Sequence, residues 1–154
     1  MLKERFKIVP SSYLILVKNN KVLLWRRYNS GYEDEKYSLV AGHLEGNESF
    51  AEAMIRETKE EINIKLKAKD LKVVHVMNRF AMQKNVELRE RVDIFFVAKK
   101  WQGEIKNMEP HKCDDLSWFY LNNLPNNTIP YIKHALDCVK NKIYYSEYGF
   151  KHIK

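Results

Sequence analysis

Three glutamates near the middle of the chain have a spacing that can hold a divalent cation. Glu57, Glu60 and Glu61 stand at i, i+3 and i+4, so in a helix their side chains share one face. Their like charges repel one another, and the second half of a helix disfavours anions. A bound cation would relieve this repulsion, and a ligand set made only of oxygens favours Mg²⁺ or Mn²⁺ over zinc. Taken alone, the three residues also fit an acidic, solvated helix face.

The residues around these glutamates favour the metal site. Arg56 precedes the cluster and can orient a carboxylate through a bidentate contact. The loop from Gly42 to Gly46 lets the backbone approach a phosphate or a metal ion closely, and it leads into the helix. These neighbours predict a site that handles phosphate groups together with a metal ion.

The spacing of these residues resembles the signature of the Nudix hydrolases. That signature is G-x5-E-x7-R-E-U-x-E-E-x-G-U, where U is a bulky aliphatic residue. The chain matches its glycine and charged anchors in register with Gly42, Glu48, Arg56, Glu57, Glu60 and Glu61. Two positions depart from the pattern: Thr58 replaces the first aliphatic residue, and Asn63 replaces the late glycine. Asparagine is a plausible substitute there because it tolerates the left-handed conformation that ends a helix.

The resemblance implies an α/β fold, the Nudix α/β/α sandwich with a central mixed β-sheet, as a single domain over residues 1–154. It also implies Mg²⁺-dependent hydrolysis, with Mn²⁺ as a substitute, of a nucleoside diphosphate linked to another group. By position it assigns as metal ligands Glu57, Glu60, Glu61, the backbone carbonyl of Ala41 or Gly42, and the loop residue Glu109. One of these glutamates would be the general base. Glu48 and Arg56 would hold the ligands in place.

Weaker similarities to MutT-type members of this family indicate substrate-binding residues. Arg26 and Arg27 end a strand that resembles one whose arginines contact phosphate; the alternative is a solvent-facing pair. His43 follows the signature glycine, where it would make a phosphate-side hydrogen bond or lie on the surface. The loop residues expected over the base pocket are Asn126, Asn127 and Thr128. Their polar groups can read a nucleobase edge, although turns favour asparagine in any case.

The leading interpretation is a hydrolase that converts a (deoxy)nucleoside triphosphate, normal or oxidised, to the monophosphate and pyrophosphate. Other substrates remain open: ADP-ribose, a dinucleoside polyphosphate or the 5′-triphosphate end of RNA. The proline that ADP-ribose hydrolases carry beyond the signature is absent, since residues 78–81 read Asn-Arg-Phe-Ala. A non-catalytic module that senses a nucleotide is disfavoured, because such modules usually lose the glutamates that this chain keeps.

Composition limits the class of protein. The chain has 154 residues, 45% of them hydrophobic, which excludes an intrinsically disordered protein. It shows neither a secretory signal nor an apolar run of the roughly 20 residues that span a membrane. Cys113 and Cys138 form no zinc pattern and favour a reducing compartment, so a cytoplasmic protein is expected.

The charge balance limits the partners. The excess of 27 Lys and Arg over 20 Asp and Glu gives a formal charge of +7. With no RNA-binding signature in the sequence, this excess fits a small nucleotide substrate better than specific nucleic-acid or membrane binding. The oligomeric state stays open, a homodimer included.

Periodicity predicts the elements that must position these residues. Apolar runs at 13–17 and 21–28 flank Lys18-Asn19-Asn20, which predicts a hairpin. Helical spacing begins at Ser49 and ends near Asn63, and a polar loop is expected over 41–48. Further strands are expected at 37–40, 71–80, 91–100 and 116–121, a polar segment at 83–90 and a second helix over 131–141. The aromatic segment 144–150 can pack on the domain, form a subunit contact or reach the substrate.

Overall fold

A computed structural model describes residues 1–81 and 90–152 of the chain, so the polar segment predicted at 83–90 lies almost wholly outside the described residues. The strands are β1 (Val9–Lys18), β2 (Lys21–Arg27), β3 (Tyr37–Ser38), β4 (Val40–His43), β5 (Lys72–Phe80), β6 (Glu90–Ala98), β7 (Cys113–Tyr120) and β8 (Tyr145–Tyr148). The α-helices are α1 (Phe50–Ile62) and α2 (Pro130–Lys140), and short 3₁₀ helices cover Ala68–Asp70 and Phe150–His152. In this described part, neither α-helix is long and apolar enough to cross a membrane.

Strand β1 organises the sheet because its two halves pair with different strands along one edge. Its first half, from Ser11 to Leu14, pairs antiparallel with β4, whereas Val17 near its end pairs with Val22 of β2. Its other edge pairs in parallel with β6, which continues through β5 to β8. The short β3 and the longer β7 flank β2. The sheet is therefore mixed, and it splits where β4 and β2 leave β1.

The two helices cover opposite faces of this sheet. Along β1, Tyr13 and Ile15 pack in the cluster that contains α2, and the intervening Leu14 and Leu16 pack in the cluster that contains α1. All four side chains are buried, as expected for a strand covered on both faces. This arrangement confirms the predicted α/β/α sandwich.

The ends of α1 lie where the sequence predicts them. Ser49 caps the start: its hydroxyl accepts from the Glu52 amide, and the Glu52 carboxylate accepts from the Ser49 amide. Asn63 ends the helix in the left-handed conformation, with φ of 63°. Thr58 is buried at the aliphatic position, and it fits there because its hydroxyl donates to the Met54 carbonyl at 2.9 Å.

Other boundaries confirm or correct the sequence predictions. The β1–β2 hairpin is confirmed, and Asn19 and Asn20 both have positive φ, as its tight turn requires. The prediction of a loop over 41–48 was wrong at its start. Strand β4 runs through His43 because Gly42 and His43 pair with Ser12 and Ser11. The C-terminal aromatic segment contributes β8, which packs in parallel on β5.

The cap of α1 can be tested at Asn63. Asn63→Val should lower the free energy of unfolding by about 1–2 kcal/mol, because a β-branched residue is strained at this φ. Asn63→Gly should cost less, although it removes the bond from Nδ2 to the Glu104 carbonyl. Urea unfolding of both variants measures the difference, and equal losses would show that the bond matters more than the backbone conformation.

Candidate active site

A cleft of about 450 Å³ lies at the split in the sheet. It is lined by β1, by β4 and by the end of β2. Two carboxylates from α1, Glu57 and Glu61, line it together with three arginines, Arg27, Arg79 and Arg91. The cleft therefore combines acidic groups from the helix with cationic groups from the sheet.

Arg56 holds the acidic half of this cleft in place. Its Nε and Nη2 donate to the two carboxylate oxygens of Glu48 at 3.1 and 2.8 Å, and its Nη1 donates to Glu57 at 2.7 Å. Glu48 also accepts from the Glu45 amide at 2.7 Å, which ties the preceding loop to the helix. Hydrogen bonding to Arg56 lowers the pKa of Glu48, so this residue stays an acceptor.

Gly42 is required by the position of Glu57. A Cβ atom on Gly42 would lie 2.1 Å from Cδ of Glu57, a distance that real side chains do not adopt. The carboxylate of Glu57 thus packs directly against the backbone of β4. Burial raises the pKa of Glu57, against the lowering effect of Arg56.

Glu61 lies deeper and has a free ligand atom. The Ala41 amide donates to its carboxylate, whereas its buried Oε2 has no hydrogen-bond partner in the described part of the chain. Burial raises the pKa of Glu61 well above its ordinary value, and the charges of Glu57 and Glu109 raise it further. A buried carboxylate oxygen without a partner, beside a second carboxylate, fits a divalent cation.

Glu109 is brought close to α1 by the loop that follows β6. The Met108 amide donates to the backbone carbonyl of Glu61 at 3.0 Å, and the Lys106 amide donates to that of Ile62 at 3.1 Å. These bonds satisfy carbonyls that the end of the helix would leave open. They explain why the charge of Glu109 raises the pKa of both Glu57 and Glu61.

The carboxylates do not converge on one point in this arrangement. Across residues 1–81 and 90–152, no three acidic, histidine or cysteine side chains are grouped as metal ligands. Nη1 of Arg56 contacts both Glu57 and Glu60, the latter at 3.4 Å, and the Glu60 side chain is 57% exposed. Joint ligation by Glu57 and Glu60 would therefore require their carboxylates to turn away from Arg56.

The structure brings one of the two predicted strand-end arginines to the cleft. Arg27 lines it and is fixed by a bond from Nε to the Tyr32 carbonyl at 2.6 Å. Arg26 lies outside the lining, and its Nε is 3.5 Å from Asp114. The two side chains separate because adjacent residues of a strand point to opposite faces of the sheet.

The loop predicted over the base pocket does not line the cleft. Its three residues bond within the chain: the Asn127 amide group donates to the Glu35 carbonyl, the Thr128 hydroxyl donates to the Pro125 carbonyl, and the Asn126 carbonyl accepts from Lys133. Asn127 also accepts from the Tyr37 amide at 3.0 Å. These contacts close the loop against β3.

His43 lies at the rim of the cleft beside an arginine that sequence reasoning missed. Its Nε2 is 3.2 Å from Nη1 of Arg91. Burial and the charge of Arg91 lower the pKa of His43, so the neutral imidazole accepts a hydrogen bond from the guanidinium.

Sequence reasoning also missed Arg79 and Asp93, which form a buried ion pair at 2.6 Å in β5 and β6. A usable signal was present in the sequence. Both residues occupy inward positions of strands whose neighbouring inward positions, Met77 and Phe95, are buried and apolar. Opposite charges at such positions in two adjacent predicted strands indicate a buried pair.

Comparison with known proteins is consistent with this geometry. The sequence model of the family described as "NUDIX domain" matches residues 9–137. An ADP-ribose pyrophosphatase of Methanocaldococcus jannaschii is 30% identical over 128 residues, covering 83% of this chain and 71% of that protein. An NAD-capped RNA hydrolase NudC of Chromobacterium violaceum is 26% identical over 139 residues, or 86% of this chain. The chain spans 48% of the length of that relative.

Solved structures share the fold. A MutT NUDIX hydrolase from Burkholderia pseudomallei aligns with a TM-score of 0.77 at 23% identity, over 86% of this chain and 98% of that one. A MutT protein from Methanosarcina mazei aligns with a TM-score of 0.74 at 19% identity, over 91% and 98% of the two chains.

The buried carboxylate of Glu61 should make stability depend on pH when no divalent ion is bound. Because its pKa is raised in the folded state, its destabilising effect is absent below the ordinary value and grows as pH rises towards the folded value. With a chelator present, Glu61→Gln should therefore have the same melting temperature as the parent near pH 4 and a higher melting temperature than the parent at pH 8. Glu60→Gln, at an exposed carboxylate, is the control; equal behaviour of both variants would contradict the burial of Glu61.

Proposed function

Because the chain belongs to the NUDIX family, we propose that it is a divalent-metal-dependent pyrophosphohydrolase that acts on a nucleotide. The observation that carries this proposal is the buried, unpartnered Oε2 of Glu61, which lies beside Glu57 in the same cleft as three arginines. Carboxylates for a cation and guanidinium groups for phosphate are what phosphoanhydride hydrolysis requires.

The residues that would hold the ion are Glu57, Glu61 and the nearby Glu109, with Glu60 and the backbone carbonyl of Ala41 or Gly42 completing an all-oxygen set. Such a set suits Mg²⁺, with Mn²⁺ as a substitute. When bound, the ion neutralises charge on the phosphates and lowers the pKa of an attacking water. The free, buried cysteines fit the reducing cytoplasm that we propose as its location.

The chain's own groups supply orientation and proton transfer. Arg56 holds Glu48 and Glu57 at fixed distances, and the bare Gly42 backbone lets Glu57 reach the cleft. Arg27, with its Nε fixed by Tyr32, binds phosphate oxygens. A water oxygen attacks one phosphorus atom, the bond from that phosphorus to the bridging oxygen breaks, and the proton of the water passes to a cleft carboxylate.

The substrate that we favour is a (deoxy)nucleoside triphosphate, released as monophosphate and pyrophosphate. Three arginines in one cleft support it, because a triphosphate has more charge to neutralise than a diphosphate diester. A second candidate is a diphosphate diester such as ADP-ribose. It is favoured by the relative that is named an ADP-ribose pyrophosphatase and is 30% identical. Both substrates contain the same phosphoanhydride bond.

A panel of substrates separates these candidates. (Deoxy)nucleoside triphosphates, ADP-ribose, dinucleoside polyphosphates and 5′-triphosphorylated RNA are assayed with Mg²⁺ for phosphate products. Glu57→Gln and Glu61→Gln should each reduce the rate at least about 100-fold, since changes to metal ligands have effects of that order. Glu104→Gln, at an exposed position outside the cleft, is the matched control. Full activity in the two cleft variants would refute the metal assignment.

The two loop glycines provide a second test of the site. Gly42→Ala should fold but lose about 100-fold in rate, because its new methyl group displaces the Glu57 carboxylate. Gly46→Ala should keep the parent rate, since a Cβ there meets no atom of the described chain within 4 Å. Steady-state kinetics of both variants measure the effect, and equal rates would show that the position of Glu57 is unimportant.

A further inference from the structure

The cleft contains a buried ion pair to which the proposed hydrolysis assigns no individual role. Nε of Arg79 donates to Oδ2 of Asp93 at 2.6 Å, and the two side chains are only 3% and 0% exposed. Arg79 comes from β5 and lines the cleft, and Asp93 lies behind it on β6. The pair is therefore at the wall of the cleft, which Arg79 lines.

Stability does not account for this pair. Removing two charges from water costs about as much free energy as their attraction returns, so well-packed apolar residues often serve as well or better. The surrounding wall is apolar enough for that replacement, because Met77 and Phe95 are fully buried next along the same two strands. Because burial of this charged pair brings little net stability, its position at the wall of a cleft indicates a role in binding a ligand.

The guanidinium of Arg79 is also fixed before any ligand arrives. Its Cζ lies 3.8 Å from the ring centroid of Tyr131, and its Nη2 is 3.4 Å from the Tyr13 hydroxyl. The two tyrosine hydroxyls are themselves 3.2 Å apart. With Nε committed to Asp93 and only long contacts at the other nitrogens, Arg79 keeps N–H donors available to the cleft.

Arg91 adds a second free donor on the neighbouring strand. It is paired across the ladder with Arg79, and it also lines the cleft. Its Nε is buried and has no partner among residues 1–81 and 90–152, and its Nη1 lies 3.2 Å from Nε2 of His43. Arg79 and Arg91 thus keep N–H donors beyond those bonded to Asp93, to the tyrosine hydroxyls and to His43, and Oδ1 of Asp93 is also buried without a partner among the described residues.

We propose that Arg79, held by Asp93 and Tyr131, is a specificity-determining residue that, with Arg91, binds an acceptor-only oxygen group of the substrate. This inference rests on the proposed function, because it places the group on the nucleotide. Two parts of a nucleotide have this chemistry: a phosphate outside the cleaved bond, and a carbonyl on the edge of the base.

Binding measured without hydrolysis tests the inference separately from the proposed function. Calorimetry in chelator compares inorganic tripolyphosphate, GMP, UMP and AMP as ligands. The proteins are the parent, Arg79→Met/Asp93→Leu, which removes both charges together, and Arg79→Lys, which keeps a charge but loses the planar fork. Lys21→Met is the matched control, since Lys21 also lies over a tyrosine ring but is outside the cleft.

The double variant should melt no lower than the parent and bind at least one ligand about tenfold or more weakly, while Lys21→Met binds as the parent does. A loss for tripolyphosphate identifies a phosphate as the group; a loss for GMP or UMP alone identifies a base carbonyl. Unchanged affinity for all ligands, or a parent protein that binds none of them, would overturn the inference. If the double variant does not fold, the inference is tested with Arg79→Lys instead. Parent-like affinity of Arg79→Lys for all ligands would then overturn the inference.

Discussion

The burial of two carboxylates on one face of α1 is the constraint on which the site depends. Glu57 and Glu61 lie one helical turn apart, burial raises the pKa of both, and the charge of Glu109 raises both further. Arg56 offsets part of the electrostatic cost of burying these carboxylates through its bonds to Glu57 and Glu48. The remainder is left at Oε2 of Glu61, which no described group satisfies. The folded chain thus retains an electrostatic cost that a divalent cation would relieve, which links its stability to the proposed chemistry.

The split of the sheet determines what these carboxylates face. Because β1 pairs first with β4 and then with β2, the two strands separate and present their ends to one cleft. From β4 comes the bare backbone of Gly42, against which Glu57 packs; from β2 comes Arg27. On the other edge of β1, the β5–β6 pair adds Arg79 and Arg91. Acidic and cationic groups that lie far apart in sequence meet here.

The part of the site that lies on α1 could be predicted because its information is local. Helical spacing places Glu57, Glu60 and Glu61 on one face, and the caps at Ser49 and Asn63 fix the ends. The positions of the arginines were harder to predict from the sequence. Adjacent arginines at a strand end point to opposite faces of the sheet, and only the folded chain shows that the face of Arg27 borders the cleft. The side chains of Asn127 and Thr128 have polar groups that suit a ligand, and only the folded chain shows that they bond to backbone carbonyls around them.

The sequence by itself predicted both α-helices, most of the strands and the carboxylate face of α1, because hydrophobic period and residue spacing act within one element, but it did not predict β4 or β8. The tertiary structure alone decided which cations oppose that face. Arg79 and Asp93 belong to different strands, and their meeting depends on the β5–β6 register and on burial by Tyr13 and Tyr131. Pairings of this kind are set by long-range packing, and no short segment of the chain specifies which strands become neighbours or in which register.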